Sequence, residues 1–167
     1  PGDNLPRYDA MYGEFDQQGI GWYIVSGFLY AINQDNLQWK RYSLPTAHYH
    51  GNVVQVDSKN RIWLSLGRAK YLFDRKTEKF SYLLGYDNDH PDSKILCGWI
   101  REEDKTGNLW MATWSQGFFI WNEEKQIFEP RDINAESLTQ FAFDKDENNN
   151  PFIWCGGGVY GLMAYDI

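Results

Sequence analysis

Four tryptophans, Trp22, Trp63, Trp110 and Trp154, recur at intervals of 41, 47 and 44 residues, and that period limits the fold more than any other feature of the chain. Self-similarity at a spacing of about 40 to 50 residues marks an array of equal structural units rather than one irregular core. In the first three units an aspartate stands six residues before the tryptophan: Asp16, Asp57 and Asp104. In the fourth, Asp144 stands ten before Trp154, because the segment DENNNPF lengthens the loop by four. Eleven or twelve residues after each tryptophan a second turn residue closes an apolar run, namely Asn33, Asp74, Asn122 and Asp166. Six residues further on, three units carry an aromatic (Trp39, Phe80, Phe128), and the fourth such position would fall beyond Ile167.

Between these markers lie short runs rich in Val, Ile, Phe, Tyr and Trp, bounded by Gly, Asn, Asp and Lys, which is the pattern of strands and hairpins. Gln18-Gly19, Lys59-Asn60 and Gly107-Asn108 supply residues that tolerate positive φ where a hairpin reverses. No segment carries an apolar stripe at helical period. Four strands per unit at this period predict an all-β chain of about four β-propeller blades, each a four-stranded antiparallel sheet. The units span approximately 8–44, 50–84, 95–130 and 138–167 of one propeller fragment covering 1–167. The fourth unit stops short of its outer strand, so the chain is expected to be part of a larger propeller. Its partners are then the remainder of that propeller or another copy, held through open blade edges.

Composition removes several alternatives. With 43% hydrophobic residues, among them 8 Trp, 11 Tyr and 10 Phe, the chain has the material for a packed core and does not read as disordered. A net charge of -7, from 16 Lys and Arg against 23 Asp and Glu, argues against a nucleic-acid partner and an anionic membrane surface. The longest uncharged apolar stretch, Ile20 to Ile32, falls short of the roughly 20 residues that span a bilayer. Cys97 and Cys155 form no CxxC motif and read as small buried side chains.

The stretch IREEDKTGNLWMATWSQGFFIWNEEKQIFEP, with its core DKTGNLWMAT and following GFFIWN, resembles the two-component regulator propeller repeat. VDSKNRIWLSLGRAKYLFDRKTEKF is similar to it with Lys59-Asn60-Arg61 in place of Gly-Asn, and the first and fourth units are degenerate copies. The resemblance implies a piece of the periplasmic sensor region of a hybrid two-component histidine kinase, a family abundant in gut Bacteroidetes whose propellers recognise oligosaccharides. It implies an oligosaccharide ligand, a role in regulating polysaccharide utilisation, and no cofactor.

Candidate site residues divide into those that repeat and those that break the repeat. A tryptophan at one fixed point of every unit is expected to pack between blades, which assigns Trp22, Trp63, Trp110 and Trp154 to the core, with Asp16, Asp57, Asp104 and Asp144 as turn residues. Ligand contacts are expected instead from Trp114 in the loop between the second and third strands of unit three, from Trp99 on its inner strand, and from Arg68. The loop LPTAHYHGN adds His48, Tyr49 and His50. Two histidines spaced HxH could share a face, yet a metal site needs three or four ligands, so no metal is assigned. Glu102-Glu103-Asp104 falls at the repeat's acidic turn, Gly156 to Gly158 lack the Lys and Ser/Thr of a phosphate loop, and no nucleophile elbow is present. No catalytic residue is assigned. Two further readings are a propeller scaffold for protein interaction in the cell envelope and a propeller lyase using His48, His50 or His90.

Overall fold

In a computed structural model the described residues are 13–46, 52–103, 107–114, 116–131, 133, 138–157 and 161–167, with backbone alone for 98–103, 138–140 and 157. The described residues contain no helix. They form fifteen strands in four antiparallel sheets, arranged as two compact units, Pro1–Tyr82 and Leu83–Ile167.

The first sheet runs β1 (Gly13–Phe15), β2 (Ile20–Val25), β3 (Phe28–Asn33) and β4 (Trp39–Ser43), each strand paired with the one before it. The second repeats this meander with β5 (Val53–Val56), β6 (Ile62–Leu66), β7 (Arg68–Asp74) and β8 (Lys79–Tyr86). The third follows with β9 (Cys97–Glu103), β10 (Leu109–Thr113), β11 (Phe118–Asn122) and β12 (Ile127–Pro130). The fourth has three strands, β13 (Leu138–Lys145), β14 (Pro151–Gly157) and β15 (Gly161–Asp166).

Two turn types recur and explain why the sequence markers repeat. At the first hairpin of each sheet one turn residue has positive φ: Gly19 at 74°, Asn60 at 64° and Gly107 at 85°, each three after the repeat aspartate, and Asn149 at 67°, three after Asp146. Gly and Asn are the residues that enter this region at least cost. At the third turn of the first three sheets, Asn33, Asp74 and Asn122 accept backbone N–H bonds from residues two or three ahead, an Asx turn. Leu37, Glu78 and Gln126 follow four residues later with φ between 55° and 57°.

Packing is sheet on sheet within each unit. Alternate strand residues face opposite ways, so Trp22, Ile24 and Leu29 of the first sheet meet Val54, Ile62, Leu64, Leu66 and Phe73 of the second in one buried cluster. In the other unit Trp110, Ala112 and Phe118 of the third sheet meet Phe141, Ile153 and Cys155 of the fourth. Aromatic pairs lock both interfaces, with Trp22 5.7 Å from Phe73 and Trp110 5.6 Å from Phe143. In each case the repeat tryptophan looks toward the following sheet. Cys97 and Cys155 are both buried as thiols, with no disulfide between them.

Trp154 departs from the expected core position. Its neighbours Ile153 and Cys155 are fully buried against the third sheet, so alternation turns Trp154 to the opposite face, where it is 37% exposed. No following sheet covers that face among the described residues.

Candidate functional site

Asp16 and Asp57, each six residues before its tryptophan, perform two tasks. Asp16 Oδ1 accepts the amides of Gln18 (2.7 Å) and Ile20 (3.0 Å), closing the turn, while Oδ2 accepts the Trp22 indole N–H at 2.7 Å. Arg75 Nη1 lies 2.9 Å from the same Oδ2, and its guanidinium sits 5.1 Å from the centre of the Trp22 ring. Burial pushes the Asp16 carboxyl up, but the Trp22 N–H, the Ile20 and Gln18 amides and the Arg75 charge together outweigh it and hold the group below its ordinary value. Asp57 repeats the arrangement, accepting the Arg61 amide and, at 2.8 Å, the Trp63 indole. Asp104 lies outside the described residues.

In the fourth sheet these tasks are divided. The four additional residues lengthen the β13–β14 hairpin rather than its loop. Asp146 closes the turn through the Asn148 and Asn150 amides at 2.9 and 2.8 Å, with the same backbone bonds that surround Asp16. Asp144 lies within β13, paired with Phe152, and accepts the Trp154 indole at 3.3 Å. Assigning Asp144 to the turn itself is thereby corrected: it retains the tryptophan, and Asp146 holds the turn. Asp–Trp pairs are thus scaffold.

The opposite end of each sheet behaves differently. Ser26 and Gly27, both at positive φ, close β2 to β3 in the two-residue manner of a primed hairpin turn. Gly67 alone separates β6 from β7, and Arg68 stands exposed beside it. In the third sheet the connection is longer and carries Trp114. Thr113, fully buried, accepts the Gln116 amide at 3.0 Å and donates its hydroxyl to the Gly117 carbonyl at 2.9 Å, while the Trp114 N–H bonds the Leu96 carbonyl at 3.1 Å. The Trp114 backbone is pinned and its side chain is 51% exposed. A large aromatic is thus presented outward on a fixed turn.

The segment between β8 and β9 is tied by Asp87, fully buried, whose Oδ1 accepts the amides of Asp89 and His90 and lies 2.8 Å from His90 Nδ1. Trp99 is on β9, and its side chain lies outside the described residues, as do His48, Tyr49 and His50 entirely. Arg68 belongs to one compact unit and Trp114 to the other. Among the described residues no three His, Cys, Asp or Glu side chains cluster as metal ligands.

Two features went unread in the sequence. Lys70, in the middle of β7, is fully buried with Nζ 2.5 Å from Ser65 Oγ. Between the third and fourth sheets a cleft of about 540 Å³ is walled by Trp110, Ile120, Phe143 and Ile167, with Arg131 5.8 Å from the Trp110 ring. Asn108 and Asn149 border it, which places it at the end carrying the aspartate turns, away from Trp114. The pattern of turn residues offered no signal for either feature, since both depend on what a neighbouring strand supplies.

No model of a known protein family matches the chain, and no curated protein matches it either. Solved structures do. The extracellular domain of BT4673 from B. thetaiotaomicron, described as a hybrid two component system, superposes with a TM-score of 0.64 at 16% identity over 93% of this chain and 23% of its own. The fold is that of a β-propeller segment. The extracellular domain of BT3049 from the same organism, also described as a hybrid two component system, gives 0.60 at 21% identity over 93% of this chain and 21% of that one. Virginiamycin B lyase from Staphylococcus aureus gives 0.62 at 12% identity over 93% and 55%. This chain therefore spans about a quarter or less of the sensor domains and about half of the lyase.

Proposed function

We propose that this chain is a ligand-recognition segment of an extracytoplasmic, periplasmic sensor of the hybrid two-component type, and that its ligand is an oligosaccharide whose recognition regulates polysaccharide use. The observation that carries the reading is Trp114, an aromatic that breaks the repeat and is held half-exposed on a turn pinned by Thr113 and Gly117. Flat apolar faces of sugar rings suit such a surface. The structural likeness to extracellular sensor domains supports the context. Isothermal titration against a panel of oligosaccharides tests it. Saturable heat with one glycan class, weakened at least tenfold in Trp114→Ala with unchanged unfolding, is the expected outcome. Absence of heat with every class refutes it.

A lyase reading has one observation in its favour, the match to over half of virginiamycin B lyase. It requires a general base within hydrogen-bond reach of the substrate. Asp87 holds His90, the histidine that the structure describes. Turnover of a streptogramin substrate that His90→Ala removes would favour this reading over the sensor.

A further inference from the structure

The segment between β8 and β9 arrives at the end of the third sheet that carries Trp114. Cys97, the first residue of β9, is registered against Thr113, the last of β10, and the Trp114 N–H bonds the Leu96 carbonyl at 3.1 Å. Ahead of Leu96 the chain is a string of tight turns. Ser93 Oγ accepts the Ile95 amide at 3.4 Å, the His90 carbonyl accepts the Ser93 amide at 3.3 Å, and the buried Asp87 carboxylate accepts the Asp89 and His90 amides. Tyr86, 37% exposed, stands immediately before the first of these turns.

The charge on this string is mostly of one sign. Asp89, Asp92 and Lys94 are exposed, and Asp87 is buried. The turn that carries Trp114 offsets none of it, since residues 113–117 read TWSQG. Residues 83–167, the compact unit to which both belong, hold 15 Asp and Glu against 6 Lys and Arg, whereas residues 1–82 hold 8 against 10. The negative charge of the chain is therefore concentrated in the half that presents Trp114.

Chain length bounds how far the two exposed carboxylates stand from that aromatic. Asp92 is four residues from Leu96 and Asp89 seven, so their Cα atoms lie at most about 14 and 25 Å from it, and the turns shorten both spans. The screening length is about 30 Å at 0.01 M salt and about 8 Å at physiological salt. A ligand seated on Trp114 thus feels both carboxylates at low ionic strength and much less of them at high.

On the reading of Trp114 as the sugar contact, on which this depends, we infer that Asp89 and Asp92 determine the charge class of the ligand: they confine it to uncharged oligosaccharides and reject glycans bearing carboxylate or sulfate groups. An aromatic face takes the apolar face of a sugar ring with or without an acidic substituent, so stacking alone does not separate the two classes. Rejection needs a repulsive element, and like charge beside the stacking ring supplies one.

Titration calorimetry of the full chain at about 0.01 M salt, against a panel of neutral, uronate-containing and sulfated oligosaccharides, tests this. The tightest saturable binding should come from a neutral class. An analogue of that glycan with uronate rings in place of its neutral rings should bind about fivefold or more weakly. Asp89→Asn/Asp92→Asn should recover most of that deficit, as should high salt, with neutral-glycan binding and the unfolding midpoint unchanged. An anionic class that binds as tightly as any neutral one, a uronate analogue without a deficit, or a deficit that the double variant leaves in place overturns the inference. Where such anionic binding is lost in Trp114→Ala, the sensor reading stands without it. Absence of heat from every class overturns both.

Discussion

Replacing Asp16 with alanine tests whether the Asp–Trp pair is a structural bracket. The substitution leaves the Trp22 indole N–H, 2.7 Å from its acceptor and on a side chain 4% exposed, without a partner. An orphaned buried donor costs about 1–3 kcal/mol. Arg75 loses its counter-charge 2.9 Å away, but its side chain is a quarter exposed, so water recovers part of that loss. The two turn amides lie nearer solvent and rebond with water. The total is about 2–4 kcal/mol, and with a urea m-value near 2 kcal/mol/M this lowers the unfolding midpoint by about 1–2 M. Asp144→Ala is the internal comparison. Its bond to Trp154 is 3.3 Å long on a ring 37% exposed, so the loss should be about 0.5 kcal/mol, as for an ordinary surface change. Urea titrations of both variants, followed by circular dichroism, decide the matter. Equal losses, or an Asp16→Ala midpoint within error of the parent's, would refute the reasoning.

The depressed Asp16 carboxyl gives a pH signature. Its contribution is complete above the unfolded value of about 3.9 and is lost as pH falls through its lower folded value, so the stability gap between parent and Asp16→Asn should shrink in acid. Leu37 holds φ at 57° while 72% exposed, so Leu37→Gly relieves backbone strain at little packing cost and should raise stability by about 0.5–1 kcal/mol in the same titration. Burial pushes the Cys155 thiol up to about 12, which leaves about one thiol in ten thousand ionised at pH 8. A thiol reagent should therefore label Cys155 at the rate of unfolding, and fast labelling of the native chain would contradict its burial.

Much of the fold was legible because the repeat obeys one local rule. A four-residue turn capped by aspartate carries the chain back so that the tryptophan six positions on points its N–H at the same carboxylate, and Asp16 and Asp57 both do this. The fourth unit remained recognisable because its extra residues enter in pairs. Two more residues on each strand preserve the two-residue alternation, so Trp154 still opposes Ala142 and still finds Asp144, whereas an odd insertion would have turned it over. Burial was the part that could not be read. Trp110 and Trp154 occupy the same point of the repeat, yet one is 2% exposed and the other 37%, because a sheet covers the first. Arg131 and Lys70 were invisible for a related reason, as their surroundings come from other strands, the Trp110 ring for Arg131 and Ser65 across the hairpin for Lys70.

The two ends of the sheets carry different constraints, and this separates scaffold from candidate site more sharply than residue type does. At the aspartate end the first turn returns with the same backbone bonds in the first, second and fourth sheets, from Asp16 to Ile20, Asp57 to Arg61 and Asp146 to Asn150. A substitution there disturbs a bracket on which the inter-sheet tryptophan depends. At the far end the turns follow no common form: Ser26-Gly27 in the first sheet, Gly67 in the second, and a longer connection with Trp114 in the third. These turns need to close a hairpin and nothing more, so they can vary in length and side chain without loosening the packing beneath. Trp114 uses that freedom. Its turn is held by Thr113 and Gly117 while its ring is half-exposed, so the side chain there can change without disturbing the hydrogen bonds that close the turn.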